Sequence, residues 1–456
     1  MCSAIKCGGQ AEVCHLSLLC NDVQAMDVSP LLKILFVFAG LLALTRLKVH
    51  LGVSLLLGGL ALCLWAGRGI SQTAGDLLHA VSLPELWLLL LITALIFEYG
   101  RHMAEERNAR VIMNTARSWG GRHGRAVSLM TIPAAIGLVP MPGGALFSAP
   151  LVEQTTSGES WDPAWKASVN YWFRHTWEYW WPLFPVVIVT LSIFQLEIWQ
   201  FILMQLPLSL ATLVAGYLIL IRPHLTALAH HEKHTTTPSR RGWIIALPLF
   251  IVILCTLILP GALQHAAPEL TLQTRKLLAM LIGLALGLMI ILRDSGPDAH
   301  RTLIRTLCDR KVLSLLGTVG GVILFKILLD RAGLLPLAGE RLIESGIPLV
   351  LVVALLPFIA GLVTGIAIGF AGISFPLLAG LASSPETGLA PASTLMLGFA
   401  FGYAGMMLSP VHLCFVLSRG YFSVPIARMY RYIAPCSIVP PATAVVLYLL
   451  MTKAGW

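Results

Sequence analysis

Long apolar runs separated by short polar ones dominate the chain. They cover residues 31–45, 51–66, 84–100, 126–152, 163–195, 198–221, 243–260, 277–292, 312–329, 347–381, 392–417 and 433–451. Several reach the ~17–25 residues that carry a helix across a bilayer. The pattern predicts an all-α polytopic membrane protein. Two runs differ from the rest. The 126–152 run holds Pro133, Pro140, Pro142, Gly143, Gly144 and Pro150, and the 347–381 run holds Pro348, Pro357, Gly361, Gly365, Gly369, Gly372 and Pro376. That density breaks a helix mid-run. Broken backbone at membrane depth persists only where protein or a wet cavity covers it. Both runs therefore read as re-entrant hairpins.

Composition narrows the class. Of 456 residues, 12% are charged and 57% apolar, and the mean hydropathy is +0.81. An ordinary globular protein carries ~25% charged residues, so no sizeable soluble domain fits. The net charge of +9 would in a soluble chain raise nucleic acid as a partner. No basic module with interleaved aromatics is present here, and the bilayer is the expected partner. Nine cysteines give no metal spacing: Cys2, Cys7, Cys14 and Cys20 crowd the N-terminus in no zinc pattern, and Cys63, Cys255, Cys308, Cys414 and Cys436 read as packing residues. The first 25 residues lack the apolar core and cleavage site of a signal peptide, and Met26 is an alternative start to Met1.

Charge also tests the hairpins. Twenty of the 31 Lys and Arg fall in the loops around 46–50, 101–125, 222–241, 293–311 and 419–432, against eight in the opposite loops and tails. The positive-inside rule makes the first set cytoplasmic. This separation arises only if both hairpins enter and leave on one face. The result is ten spanning segments plus two hairpins, with both termini outside, in a plasma or bacterial inner membrane. It divides the chain into an N-terminal tail (1–30), a first repeat (31–221) with hairpin 126–152, a cytoplasmic linker (222–242), and a second repeat (243–456) with hairpin 347–381. The repeats run in opposite senses. Gly137-Leu138-Val139-Pro140 echoes Gly361-Leu362-Val363-Thr364, and Ser148-Ala149-Pro150-Leu151 echoes Ser374-Phe375-Pro376-Leu377. Inverted repeats with interrupted helices are the architecture of secondary transporters, whose site lies between the repeats. The linker's His230, His231 and His234 do not follow a zinc-protease order and read as solvated.

Candidate chemistry gathers at the breaks. Pro142, Gly143 and Gly144 mark the first hairpin tip, where freed N–H groups can cradle an anion, and Ser148 adds a hydroxyl. Thr364, Gly365 and Gly369 are the counterparts in the second hairpin. Tight packing of small residues is the plain alternative for both. Between them lies Asn170-Tyr171-Trp172-Phe173-Arg174-His175-Thr176-Trp177-Glu178. Asn170, Arg174 and Glu178 repeat every four residues and are expected on one helical face. Arg174 is placed to receive a carboxylate bidentately. His175 and Glu178 are the expected proton-linked groups. The alternative is a structural Arg174–Glu178 pair in an interfacial tryptophan belt. Ser409 and Pro410, at the matching place in the second repeat, leave carbonyls for a cation such as Na⁺. A Pro kink is the plain alternative, and His412 reads as a packed histidine. Glu98, Glu197, Lys326 and Asp330 sit at segment ends, where snorkelling accounts for them.

Three stretches carry a family resemblance. They are Met141-Pro142-Gly143-Gly144-Ala145 with Ser148-Ala149-Pro150-Leu151, Asn170 through His175 with Trp177-Glu178-Tyr179 and Trp181-Pro182-Leu183, and Ser409-Pro410-Val411-His412-Leu413-Cys414. They resemble the DUF401 family of uncharacterised integral membrane proteins. That family is grouped with the ion-transporter superfamily of gluconate, citrate and C4-dicarboxylate permeases. The resemblance implies paired hairpins, a homodimer and elevator-like movement. It supplies no substrate, and the tips lack the Ser-Asn-Thr pattern of sodium–dicarboxylate carriers.

The sequence thus points to a secondary active transporter of a small organic anion, a carboxylate or sugar acid, coupled to H⁺ or Na⁺ and needing no other cofactor. A cation/proton antiporter, with Glu178 cycling and Arg174 regulating it, is the alternative. An intramembrane enzyme is disfavoured, because no paired aspartates, Ser–His pair or metal motif is evident.

Overall fold

The computed structural model describes residues 29–105, 111, 124–138, 143–157, 160–228, 242–295 and 309–454, and contains no strand among them. Pro142, residues 1–28 of the N-terminal tail and 229–241 of the linker lie outside the described residues.

The first half opens with α1 (Pro30–Arg46), α2 (Leu51–Trp65), α3 (Ile70–Ser82) and α4 (Pro84–Ala104). Helix α3 is short and amphipathic: it buries Thr73, Asp76 and Ala80 at helical spacing. Then come α5 (Arg125–Gly137) and α6 (Ala145–Thr155), which pack on each other, followed by α7 (Pro163–Arg174), α8 (Pro185–Phe194) and α9 (Ile198–Gly216). Helix α9 runs on through a π turn at Tyr217–Ile221.

The second half holds α10 (Gly242–Ala266), α11 (Leu272–Ser295), α12 (Arg310–Ala332) and a second short amphipathic helix, α13 (Leu334–Glu344). Next are α14 (Leu349–Thr364) and α15 (Ala367–Ala382), then α16 (Pro391–Met407), α17 (Leu413–Tyr421) and α18 (Ile426–Lys453). Only Gly365 and Ile366 separate α14 from α15. Gly365 has φ +66°, a left-handed conformation that costs a residue with a Cβ but not glycine.

Among the described residues, five helical stretches are long and apolar enough to cross a membrane: Pro84–Met103, Ile198–Leu228, Leu272–Arg293, Arg310–Ala332 and Ile426–Lys453. Helices α13 and α14 together pass the same test but are bent by 119°. Two apolar stretches that the hydropathy treats as continuous, 163–195 and 392–417, are each split in two. Large apolar side chains point outward on the peripheral helices, as Phe36 (61% exposed), Phe250 (61%) and Ile438 (66%) show. Water would not tolerate such a surface, and lipid does. The chain is a multi-pass membrane protein.

Glycine sets a close contact between α2 and α12. A Cβ on Gly52 of α2 would collide with the backbone of Gly317 in α12, and one on Gly321 with the backbone of Gly52. Gly317 and Gly321 are four apart, the small-residue spacing that lets membrane helices touch. The snorkelling expectation fails at Glu98, which is 1% exposed. Its carboxylate meets Arg101 Nη2 at 2.6 Å and His102 Nε2 at 2.9 Å. One helical turn supplies both partners, so the charge stays inside.

Candidate functional site between two broken helices

Helix α7 is set up by its ends. The Asp162 side chain accepts from Ala164 N at 3.0 Å, and Pro163 takes the first helical position. Residues 167–174 are all buried, so each polar atom needs a partner inside. Trp172 Nε1 donates to Thr212 O at 2.9 Å, and Asn170 Nδ2 lies 3.0 Å from both Ala145 O and Ser418 Oγ. Asn170 thereby ties α7 to the start of α6 and to α17. Its Oδ1 accepts no hydrogen bond among the described residues.

The helix ends at Arg174, because the next carbonyls are engaged elsewhere. The Arg174 carbonyl lies against Gly137, where a Cβ would overlap it. The His175 carbonyl accepts the Tyr403 hydroxyl at 2.5 Å. Glu178 N turns back to His175 O at 3.4 Å, a turn rather than an α-helical bond. This corrects the expectation that Asn170, Arg174 and Glu178 share a helical face. Asn170 and Arg174 belong to α7, and Glu178 lies beyond its end. Trp177 Nε1 donates to Ala134 O at 2.9 Å, fastening this break to α5.

The second break mirrors the first. Helix α16 ends at Met407, whose carbonyl accepts the Tyr171 hydroxyl at 3.0 Å. Each broken helix thus lends a tyrosine to cap the other: Tyr171 of α7 caps α16, and Tyr403 of α16 caps the end of α7. Helix C-termini carry carbonyls without intrahelical partners, and these hydroxyls supply them where water is excluded. The Leu408 carbonyl accepts from Tyr430 at 2.7 Å, and Ser409 Oγ donates to Leu362 O at 2.8 Å. His412 Nδ1 meets Gly365 O at 2.7 Å. This break is thereby fastened to the α14–α15 turn.

The two breaks meet at a cavity of about 220 Å³. Arg174, His175, Glu178, His412 and Cys414 line it, with Ile96, Phe97, Phe184, Val186 and Ile368 as apolar walls. His175 Nε2 stands 3.1 Å from His412 Nε2 and 3.8 Å from Glu178 Oε1. Cys414 Sγ completes a group whose ligand atoms lie within 4.8 Å of one another. The His175 ring packs edge-on to Tyr171 and His412, with centroids at 4.8 and 5.0 Å. Such a volume is below the ~300–1,000 Å³ of drug-sized pockets, so it suits a small polar molecule. Convergent buried ionisable side chains in an otherwise apolar cavity make this the candidate site.

A family model described as "Protein of unknown function (DUF401)" matches residues 28–451. The chain belongs to the DUF401 family. No curated protein matches it. Among solved structures it is similar to one titled "Crystal structure of the Alcanivorax borkumensis YdaH transporter reveals an unusual topology". The identity is 14%, the match covers 84% of this chain and 88% of that one, and the TM-score is 0.46.

The residues singled out in this DUF401 sequence separate into three groups. Arg174, His175 and Glu178 line the cavity. Gly144 abuts one of them, since a Cβ there would fall within the Arg174 guanidinium, whereas Gly143 (φ +77°) faces Leu417. The others are spent on structure. Ser148 Oγ bonds its own helix at Ala145 O (3.4 Å), and Thr364 Oγ1 bonds Ala360 O (2.7 Å). A Cβ on Gly369 would crowd Thr364. Ahead of Ser409 and Pro410 the Met407 and Leu408 carbonyls accept tyrosine hydroxyls, the Ser409 carbonyl accepts from His412 N at 3.3 Å, and Pro410 itself is exposed. Two cavity residues escaped the sequence reading, His412 and Cys414. The one signal for His412 was that each break holds a histidine, two residues after Pro410 in one and next to Arg174 in the other; Cys414 had none.

Proposed function

We propose that this protein is a secondary active transporter of a small organic anion, a carboxylate or sugar acid, driven by a cation gradient of H⁺ or Na⁺ across an inner or plasma membrane. One observation carries the reading: a buried arginine faces a small cavity exactly where two broken helices, one from each half, cap each other. Arg174 takes the substrate carboxylate as a bidentate guanidinium. Gly144 leaves room for that guanidinium beside the α6 start. Asn170 holds the two breaks in register, and the apolar walls exclude water so that the charges act at full strength.

Elevator movement suits the packing. The hairpin helices α5 and α6 pack on α7, and α14 and α15 pack on α16, so each pair can travel with its broken helix. A homodimer would supply the fixed frame for that travel. The buried Glu178 beside His175 favours a second reading, a cation/proton antiporter in which Glu178 cycles.

A thermal-shift panel on the purified protein separates the two. Mono-, di- and tricarboxylates and sugar acids are each tested with and without Na⁺, on wild type and Arg174→Ala. A selective ligand raises the Tm by mass action. A shift for one anion class, lost in Arg174→Ala, supports anion transport. A shift by Na⁺ alone favours the antiporter. An equal shift in both proteins removes Arg174 from the site.

A further inference from the structure

We propose that His175, His412 and Cys414 bind one transition-metal ion of borderline-soft character, with Zn²⁺ as the type. The site stands on its own geometry and does not depend on the transport reading.

Tautomers come first. His175 Nδ1 lies 2.6 Å from Tyr171 O, and His412 Nδ1 lies 2.7 Å from Gly365 O. A carbonyl only accepts, so both Nδ1 atoms carry the proton and donate. Each neutral ring then presents a bare lone pair at Nε2. Those lone pairs face each other at 3.1 Å inside the protein. Two acceptors in that position repel unless a cation lies between them.

The surroundings select a metal ion over a proton. Metal-binding histidines characteristically donate their other ring N–H to a carbonyl, which fixes the tautomer and aims the free nitrogen. Both rings do so. Two nitrogens at tetrahedral zinc distances stand about 3.3 Å apart, close to the spacing here. A shared proton would engage the two nitrogens alone and leave Cys414 only a weak thiol hydrogen bond to His175. A metal makes the thiol a ligand, because Cys414 Sγ is buried in the same cluster. Glu178 Oε1 lies 3.8 Å from His175 Nε2 and brings a negative charge beside the cluster. Nitrogen and sulfur donors favour zinc-like or copper-like ions over Na⁺, Mg²⁺ or Ca²⁺. On binding, the Cys414 S–H proton leaves to solvent as the metal–sulfur bond forms. The Cys414 thiolate and the Glu178 carboxylate also offset the repulsion from Arg174 across the cavity.

Co²⁺ is the probe. The full chain in detergent is stripped with a chelator and titrated with Co²⁺. The expected result is a thiolate-to-cobalt charge-transfer band in the near ultraviolet, with the visible bands of tetrahedral cobalt, both abolished by added Zn²⁺. Cys414→Ser should remove the charge-transfer band, and His412→Gln should weaken Co²⁺ binding at least tenfold. A variant with Cys2, Cys7, Cys14 and Cys20 all changed to Ser should keep the band, which excludes the N-terminal thiols as its source. Monodispersity and an unchanged Tm without metal certify that each variant folds; if Cys414→Ser does not, Cys414→Ala takes its place. No band in the wild type, or a band that survives loss of the Cys414 thiol, overturns the site. Anion stabilisation without a cobalt band would overturn the metal site and leave transport standing, and cobalt binding without any anion effect would do the reverse.

Discussion

Between α7 and α8 the chain spends ten residues, His175 to Phe184; between α16 and α17 it spends five, Leu408 to His412. The first stretch carries His175 and Glu178, follows directly on Arg174, and is crowded by Trp177, Trp180 and Trp181. The second, Leu408-Ser409-Pro410-Val411-His412, has no carboxylate and no Lys or Arg. Yet the two use the same device. Each stops a buried helix, each hands its terminal carbonyl to a tyrosine of the other, and each is fastened to the hairpin of its own half. The difference lies in charge. An ionised group at membrane depth costs ~2.5–3.5 kcal/mol on insertion scales. Concentrating Arg174 and Glu178 at one break lets them offset each other across one cavity. The other break then contributes the neutral His412 to the cavity, and α17 behind it contributes Cys414. The formal charges at the cavity therefore come from the first half of the chain, and the second half adds neutral side chains to its wall.

That division is broken most severely at Arg174. Arg174→Ala should abolish anion-dependent stabilisation and lower uptake into proteoliposomes at least 100-fold. Arg174→Lys keeps the charge but loses the planar fork, and should retain roughly a tenth of the uptake. If Lys equals Arg, the guanidinium geometry is not what binds. Next are the tyrosines. Tyr171→Phe takes the tyrosine donor from the buried Met407 carbonyl, and Tyr403→Phe leaves the His175 carbonyl with only the long turn bond from Glu178 N; each should cost ~1–3 kcal/mol of stability. Thermal unfolding of the two variants and their double mutant checks this. Similar losses keep the breaks equivalent as structures, whereas one silent tyrosine would show that only one break needs its cap. Gly144→Ala is expected to be milder, because Gly144 already has a right-handed helical backbone and only the far end of the Arg174 side chain must move. Uptake should fall several-fold with the Tm unchanged. Smallest is Ser409→Ala, which gives up one bond to Leu362 O. It should cost ~1 kcal/mol of stability and leave anion affinity intact.

The breaks at Pro410 and Gly365 were legible in the sequence, because these residues act through local backbone rules that need no tertiary context. The charged cavity wall was legible too, since Arg174 inside an apolar run is costly unless used. Glu178 was misplaced for a physical reason. A four-residue spacing assumes that the helix continues, and α7 stops where Tyr403, 228 positions away, captures the His175 carbonyl. His412 escaped for a similar reason: its partner His175 is 237 residues distant, and no periodicity links them. Glu98 was the avoidable error. Its partners Arg101 and His102 stand three and four residues on, a pattern readable on any helix.

Transport itself is tested most directly by counterflow. Proteoliposomes loaded with the anion that stabilises the protein are diluted into a trace of the labelled anion. Wild type should accumulate label transiently above equilibrium, and Arg174→Ala should not. Label that binds without accumulating inside the vesicles, or that enters Arg174→Ala vesicles as fast as wild type, would contradict a carrier built around this arginine.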